Sequence, residues 1–240
     1  MNDGTRREDV FRNSKWYAGV IAASPIVLGY LPIGFAFGVI ANKTSISIAN
    51  ILAMSLLVYA GSSQLIAVGM FATGGMPLGI IFTTLVVNLR HLLMSAALSP
   101  YLKNWRKSRL AIFAFQLTDE SFAMHSARFS SGSIDVIASY AINITAHIAW
   151  IAGSLLGSLA GHLVQDIRPW ALDYTLPAMF IALLVMQLNS KIEIMVALIA
   201  GLTSLIFMFS GFEQWNVILA AVIAATIGLG MDIWTRRSSS

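Results

Sequence analysis

Arg90 and His91 sit together in the stretch LVVNLRHLLM, residues 85–94, which is otherwise apolar. Nothing charged lies between Lys43 and Arg90, and nothing charged follows His91 until Lys103. An ionisable pair at membrane depth is costly, so it needs a partner or a task. The tasks open to it are binding a charged solute and passing a proton. LTDESF, residues 117–122, holds the adjacent carboxylates Asp119 and Glu120 in the middle of the chain. They suit the first turn of a helix behind a Thr118 N-cap. They equally suit a proton or ammonium acceptor, because a carboxyl group in lipid holds its proton more tightly. The third polar group is Ser62, Ser63 and Gln64 in VYAGSSQLIA.

Helical periodicity sorts these residues onto faces. Thr84, Asn88, His91 and Ser95 fall on one narrow stripe of an apolar helix, and Arg90 points away from it toward a different partner. Such a stripe faces the protein interior or a water-filled path, or it serves as hydrogen-bonding glue between helices. Ser139, Asn143, His147, Ser154 and Ser158 share a second face with Trp150, which makes Asn143 and His147 secondary site candidates. Gly153, Gly157 and Gly161 form a G-x-x-x-G-x-x-x-G ladder beside that face, the spacing that lets another helix approach closely, in this chain or in a partner.

These residues need a membrane to make sense. The 240 residues are 57% hydrophobic and only 11% charged, with a mean hydropathy of +0.76. Soluble domains carry about a quarter charged residues. The net charge of +4 does not point to nucleic acid. Most basic residues lie in short flanks, namely Arg6, Arg7, Arg12 and Lys15, then Lys103, Arg106, Lys107 and Arg109, then Arg236 and Arg237. That is the pattern of cytoplasmic loops. The absence of cysteine excludes disulfides, thiolate metal sites and cysteine nucleophiles. The four histidines show no ligand spacing, and G-x-S-x-G and phosphate-binding glycine loops are missing. Neither an enzyme, nor a metal site, nor a cofactor is expected.

A span needs about 20 apolar residues. The expected spans are Tyr17–Ala41, Ile46–Phe71, Pro77–Leu102, Ile134–Leu163, Trp170–Leu188, Ile192–Phe209 and Trp215–Ile233. All are helices, since open sheet is not viable in lipid. The first apolar run, about 25 residues, is too long for a signal-peptide core and reads as an uncleaved span. With both basic termini and the 103–109 loop inside, residues 46–102 must cross an odd number of times, yet they look like two segments. A helix–break–helix hairpin at Gly61, Ser62, Ser63 and Gln64 repairs the count. Residues 110–129 read as a second re-entrant or interfacial element. YLPIGF (30–35) and TLPAMF (175–180) form a faint repeat, which the topology would make inverted, a recurrent transporter design. The expected architecture is an all-α polytopic membrane protein with about 6–7 transmembrane helices. Residues 1–15 form a cytoplasmic polar tail, 16–235 a single membrane transport domain and 236–240 a cytoplasmic tail.

GYLPIGFAFGVIA (29–41), YAGSSQ (59–64), NLRHLLMSAALSP (88–100), LTDESF and LPAMFIALL (176–184) together resemble the AzlC-type permeases, the large subunit of bacterial branched-chain amino acid exporters. The resemblance implies export of valine, leucine, isoleucine and methionine across the bacterial inner membrane, driven by protons. It also implies a small AzlD-type membrane subunit as partner. It brings no residue assignment, so the site residues come from the stripes: Asn88, Arg90, His91, Ser62, Ser63 and Gln64 for substrate, and Asp119, Glu120 and His91 for protons. A zwitterion needs a cation for its carboxylate, an acid for its ammonium and an apolar wall for its side chain. The rival readings are a non-transporting assembly subunit and an exporter or channel for another small solute.

Overall fold

The computed structural model describes residues 3–161, 190–211 and 216–238, with isolated positions between 163 and 188. Among the described residues all regular structure is helical. The chain divides into two compact units, 1–177 and 178–240.

The first unit opens with α1 (Asp3–Ala22) and α2 (Ser24–Lys43). The expected span Tyr17–Ala41 is therefore cut at Ala23, where Pro25 lacks the N–H that would continue the ladder. The expected polar tail is helical from Asp3, as part of α1. Ser47 caps α3 (Ile48–Ala53), which runs on into a π-helical turn, Met54–Val58. Tyr59 then takes left-handed angles, φ 45° and ψ 47°, and α4 (Gly61–Ala72) begins two residues later. The expected span Ile46–Phe71 is thus two short helices. The break falls at Tyr59–Ala60, not at Gly61–Gln64, which instead form the first turn of α4. α3 packs on α2 and on the helix of residues 136–160, whereas α4 packs on α2 and on the helix of residues 77–98.

The helix α5 (Pro77–Leu98) ends in a 3-10 turn, Ser99–Tyr101, close to the expected span. Residues 110–129 resolve into α6 (Lys107–Phe115) and α7 (Asp119–Ser130), too short to cross separately. The long helix α8 (Val136–Ala160) starts at an Asp135 cap, whose Oδ1 accepts from Ala138 N at 2.9 Å.

α2 and α8 are the central pair. A Cβ on Gly153 would sit 2.7 Å from the Leu31 carbonyl oxygen, and one on Gly34 would sit 2.9 Å from that of Trp150. A Cβ on Gly157 would overlap the Phe35 carbonyl, and one on Gly161 would press on Asn42. The glycine ladder therefore packs against α2 of the same chain, and Gly34 and Gly38 answer it from the other side. Around this contact lie Phe37, Tyr59, Val68, Ile142 and Trp150. A second apolar cluster, Met94, Leu98, Phe113, Leu117 and Phe129, joins α5, α6 and α7.

The second unit contains α9 (Lys191–Phe209) and α10 (Asn216–Ser238), which pack together, with Val196 against Gly228. α10 continues through residues 236–238, where a tail was expected. Nearly all of the expected span Trp170–Leu188, most of TLPAMF and hence the repeat lie outside the described residues. Among the described residues, four helical segments are long and apolar enough to cross a membrane: Ser24–Lys43, Pro77–Tyr101, Val136–Ala160 and Lys191–Phe209.

Candidate functional site

Arg90 projects from the middle of α5. Its Nη1 lies 2.7 Å from Asp119 Oδ2, and its Nη2 donates to Ser62 Oγ. One guanidinium thereby ties α5 to the first turns of α4 and α7. The two charged side chains are 24% and 16% exposed, so water screens the pair only partly. A planar guanidinium can hold two acceptors at fixed angles, as it does here. Arg90 Nε and the neighbouring Asn88 Oδ1 are buried without a hydrogen-bond partner among the described residues.

The first turn of α7 positions both carboxylates. Thr118 caps it and forms a reciprocal capping box with Ser121. Asp119 faces Arg90, while Glu120 faces α2. There the Tyr30 hydroxyl lies 2.6 Å from Glu120 Oε2 and 2.6 Å from Thr118 Oγ1. The helix-cap reading of LTDESF holds, and the cap aims the two carboxylates at different neighbours.

The break before α4 is stitched to α8 by a buried network. His147 Nε2 donates to the Ser55 carbonyl at 3.1 Å, which fixes its tautomer. The Ser55 hydroxyl donates to Ser154 at 2.8 Å. The Trp150 indole N–H donates to Gln64 Oε1 at 3.2 Å, and Gln64 Nε2 reaches Ser55 Oγ at 3.4 Å. Tyr59 stacks on His147 with ring centres 3.9 Å apart. π-Turns and left-handed non-glycine residues concentrate at functional sites.

The expected site residues divide accordingly. Ser62, Arg90 and Asp119 meet directly, and Glu120 is adjacent. The stripe itself does not hold together as a unit. The Thr84 hydroxyl donates to its own helix backbone, 2.8 Å from Ile80 O. His91 lies within reach of the charges on Arg90 and Asp119. Ser63 likewise turns back to the Ala60 carbonyl, 3.0 Å away. Asn143 and His147 part company, since Asn143 Oδ1 meets His125 Nε2 at 2.8 Å while His147 serves the break. Tyr30, Tyr59 and Ser55 were missed. Tyr30 and Tyr59 begin two of the quoted motifs, but an aromatic residue in an apolar run carries no signal of its own until its hydroxyl finds a partner.

A bundle of apolar helices, one of them broken, enclosing a charged cluster defines a polytopic membrane protein with a polar site at its broken helix. Residues 25–164 match the model of the family described as AzlC protein. The chain belongs to the AzlC family. It is 30% identical to an uncharacterized membrane protein of Archaeoglobus fulgidus, over 92% of this chain and 97% of the relative. It is 30% identical to the inner membrane protein YgaZ of Escherichia coli, over 78% and 79%. It is 27% identical to the branched-chain amino acid transport protein AzlC of Bacillus subtilis, over 68% and 64%. No solved structure matches it significantly. The chain is an all-α membrane protein with a transport role.

Proposed function

We propose that the protein exports branched-chain and similar hydrophobic amino acids, namely valine, leucine, isoleucine and methionine, across the cytoplasmic membrane in exchange for protons. It acts with a small AzlD-type membrane subunit, catalyses no chemical conversion, and keeps both termini in the cytoplasm. The observation that carries the reading is the opposite charge on adjoining elements, Arg90 held between Ser62 and Asp119 with Glu120 beside them. A zwitterion needs both signs close together and an apolar wall for its side chain. The name of the Bacillus subtilis relative supports the substrate class. Asp119, Glu120 and His91 are the titratable groups in reach of the site.

Uptake of radiolabelled leucine, valine and methionine into inside-out vesicles containing the protein and its small partner tests the proposal. Uptake should rise with an imposed proton gradient and compete among the aliphatic amino acids. No gradient-dependent uptake of any of them would overturn it.

A further inference from the structure

Glu120 and Tyr59 share one deficiency, because each lacks the partner that its setting demands. Asp119 has the Arg90 guanidinium 2.7 Å away. Glu120 accepts from one hydroxyl, that of Tyr30 at 2.6 Å, and Thr118 Oγ1 lies 2.6 Å from the same Tyr30 oxygen. No Lys or Arg forms an ion pair with Glu120 among the described residues. Hydroxyls satisfy a carboxylate's hydrogen bonds but leave its charge unbalanced.

Tyr59 is 3% exposed, and its hydroxyl is buried with no hydrogen-bond partner among the described residues. That hydroxyl lies beside the Tyr30 hydroxyl without a hydrogen bond of good geometry to it, and within reach of the Glu120 charge. A buried polar atom left unsatisfied is costly, so it calls for an occupant. The surroundings are aromatic: Tyr30 meets Tyr59 edge to face at 6.4 Å and Trp150 at 5.5 Å. Aromatic faces beside a carboxylate favour a cation.

We infer that Glu120, with the hydroxyls of Tyr30, Thr118 and Tyr59, forms a site for one positive charge, filled in turn by a proton and by a primary ammonium group. This deepens the amino acid exporter reading and rests on it. The hydroxyl oxygens select a cation that carries N–H bonds, since such a cation gives Tyr59 the donor it lacks. One carboxylate offers one negative charge, so the two occupants exclude each other. When the ammonium enters, the Glu120 O–H bond breaks and its proton leaves to water, and when the ammonium departs the bond reforms. Mutual exclusion at one carboxylate makes export an exchange when the protein changes access only with the site filled.

The other charged or titratable groups facing the site are Asp119 on α7, Arg90 and His91 on α5 and, behind Tyr59, His147 on α8. Asp119 is already paired with Arg90, which leaves Glu120 as the carboxylate that exchanges its positive partner.

The test uses the purified full-length protein in nanodiscs and two halves of leucine as probes. Isopentylamine keeps the ammonium and 4-methylpentanoate keeps the carboxylate. Isopentylamine should bind the wild type, with an affinity that falls about tenfold per pH unit on the acid side of the Glu120 titration. Glu120→Gln, of unchanged shape, should weaken it about tenfold or more, and Tyr59→Phe, which retains the stacked ring, severalfold. Neither change should alter binding of 4-methylpentanoate. An amine that fails to bind, binds both variants as well as the wild type, or binds with an affinity that does not fall on acidification overturns the inference. Absent leucine transport with intact, pH-dependent amine binding would remove the exporter reading and leave the charge site standing.

Discussion

Arg90 Nη1 lies 2.7 Å from Asp119 Oδ2, on side chains that are neighbours only because α5 and the first turn of α7 pack together. Removing one member of such a pair leaves the other charge without compensation. Arg90→Ala should lower stability by about 3–5 kcal/mol. Asp119→Asn added to it should recover part of that loss. Arg90→Lys keeps the charge but cannot hold Ser62 and Asp119 together, and should lose about 1–2 kcal/mol. Melting temperatures of the purified variants read all three, and a fully stable Arg90→Ala would show that the pair does not hold the two helices.

The contact between α2 and α8 has room for hydrogen only. A Cβ on Gly157 meets the Phe35 carbonyl, which is backbone and cannot rotate aside. Gly157→Ala alone should therefore cost about 1–3 kcal/mol through overpacking. Gly69→Ala is the control, since nothing lies within 4 Å of a Cβ there and alanine raises helix propensity by up to about 1 kcal/mol. Equal yield and melting temperature for the two variants would contradict the close approach.

The periodic parts of this fold were legible in the sequence and the pairings were not. α5, α8 and α9 follow from the apolar runs Pro77–Leu102, Ile134–Leu163 and Ile192–Phe209, and the ladder of Gly153, Gly157 and Gly161 announced a close neighbour. Its identity needed Gly34 and Gly38, which read as an ordinary apolar segment until set opposite the ladder. The break was placed by small polar residues at Gly61–Gln64. The chain instead breaks at Tyr59–Ala60, where stacking on His147 holds a left-handed tyrosine that no local preference would choose. At the site, Arg90 and Asp119 stood out as charges in apolar surroundings. Tyr30 and Tyr59 did not, because what distinguishes them is a contact from another helix.

Orientation can be read directly, because the chain has no cysteine. Asn104 lies in the exposed basic loop between α5 and α6. Positive loops remain on the cytoplasmic side. Asn104→Cys should escape a membrane-impermeant maleimide in whole cells and react in inside-out vesicles. Labelling in whole cells would place that loop outside and remove the need for an odd number of crossings in residues 46–102.

At the opposite end of α8 from its glycine ladder, Lys15 Nζ pairs with Asp135 Oδ2 at 2.5 Å. Burial pushes the Asp135 carboxyl up, but the Lys15 bond and the Ala138 amide outweigh it and hold the group below the ordinary carboxylate range. A depressed carboxyl stabilises the fold above its unfolded pKa, and the contribution is lost as pH falls through the folded value. Lys15→Met should therefore shift the acid limb of the melting curve to higher pH. The pair is partly exposed, so the loss at neutral pH should be about 1 kcal/mol or less. An acid limb that does not move would assign the cap alone to Asp135.

Gln64 is the joint between the broken helix and α8. It is 1% exposed, accepts from the Trp150 indole at 3.2 Å and donates to Ser55 at 3.4 Å. Ser55 in turn presents its carbonyl to His147 and its hydroxyl to Ser154. Gln64→Leu has similar bulk and leaves the indole N–H and the Ser55 oxygen short of partners at once. An unsatisfied buried donor costs about 1–3 kcal/mol, so the variant should melt earlier by that amount. The loss should also be local. Amides of the π-turn and the first turn of α4 should exchange faster with deuterium, while those of α8 near Gly153 and Gly157, held by backbone contact with α2, should keep their protection. A uniform rise in exchange across both helices would mean that Gln64 supports the whole bundle, and no change at either place would mean that the break is held by Tyr59 stacking on His147 without help from the network.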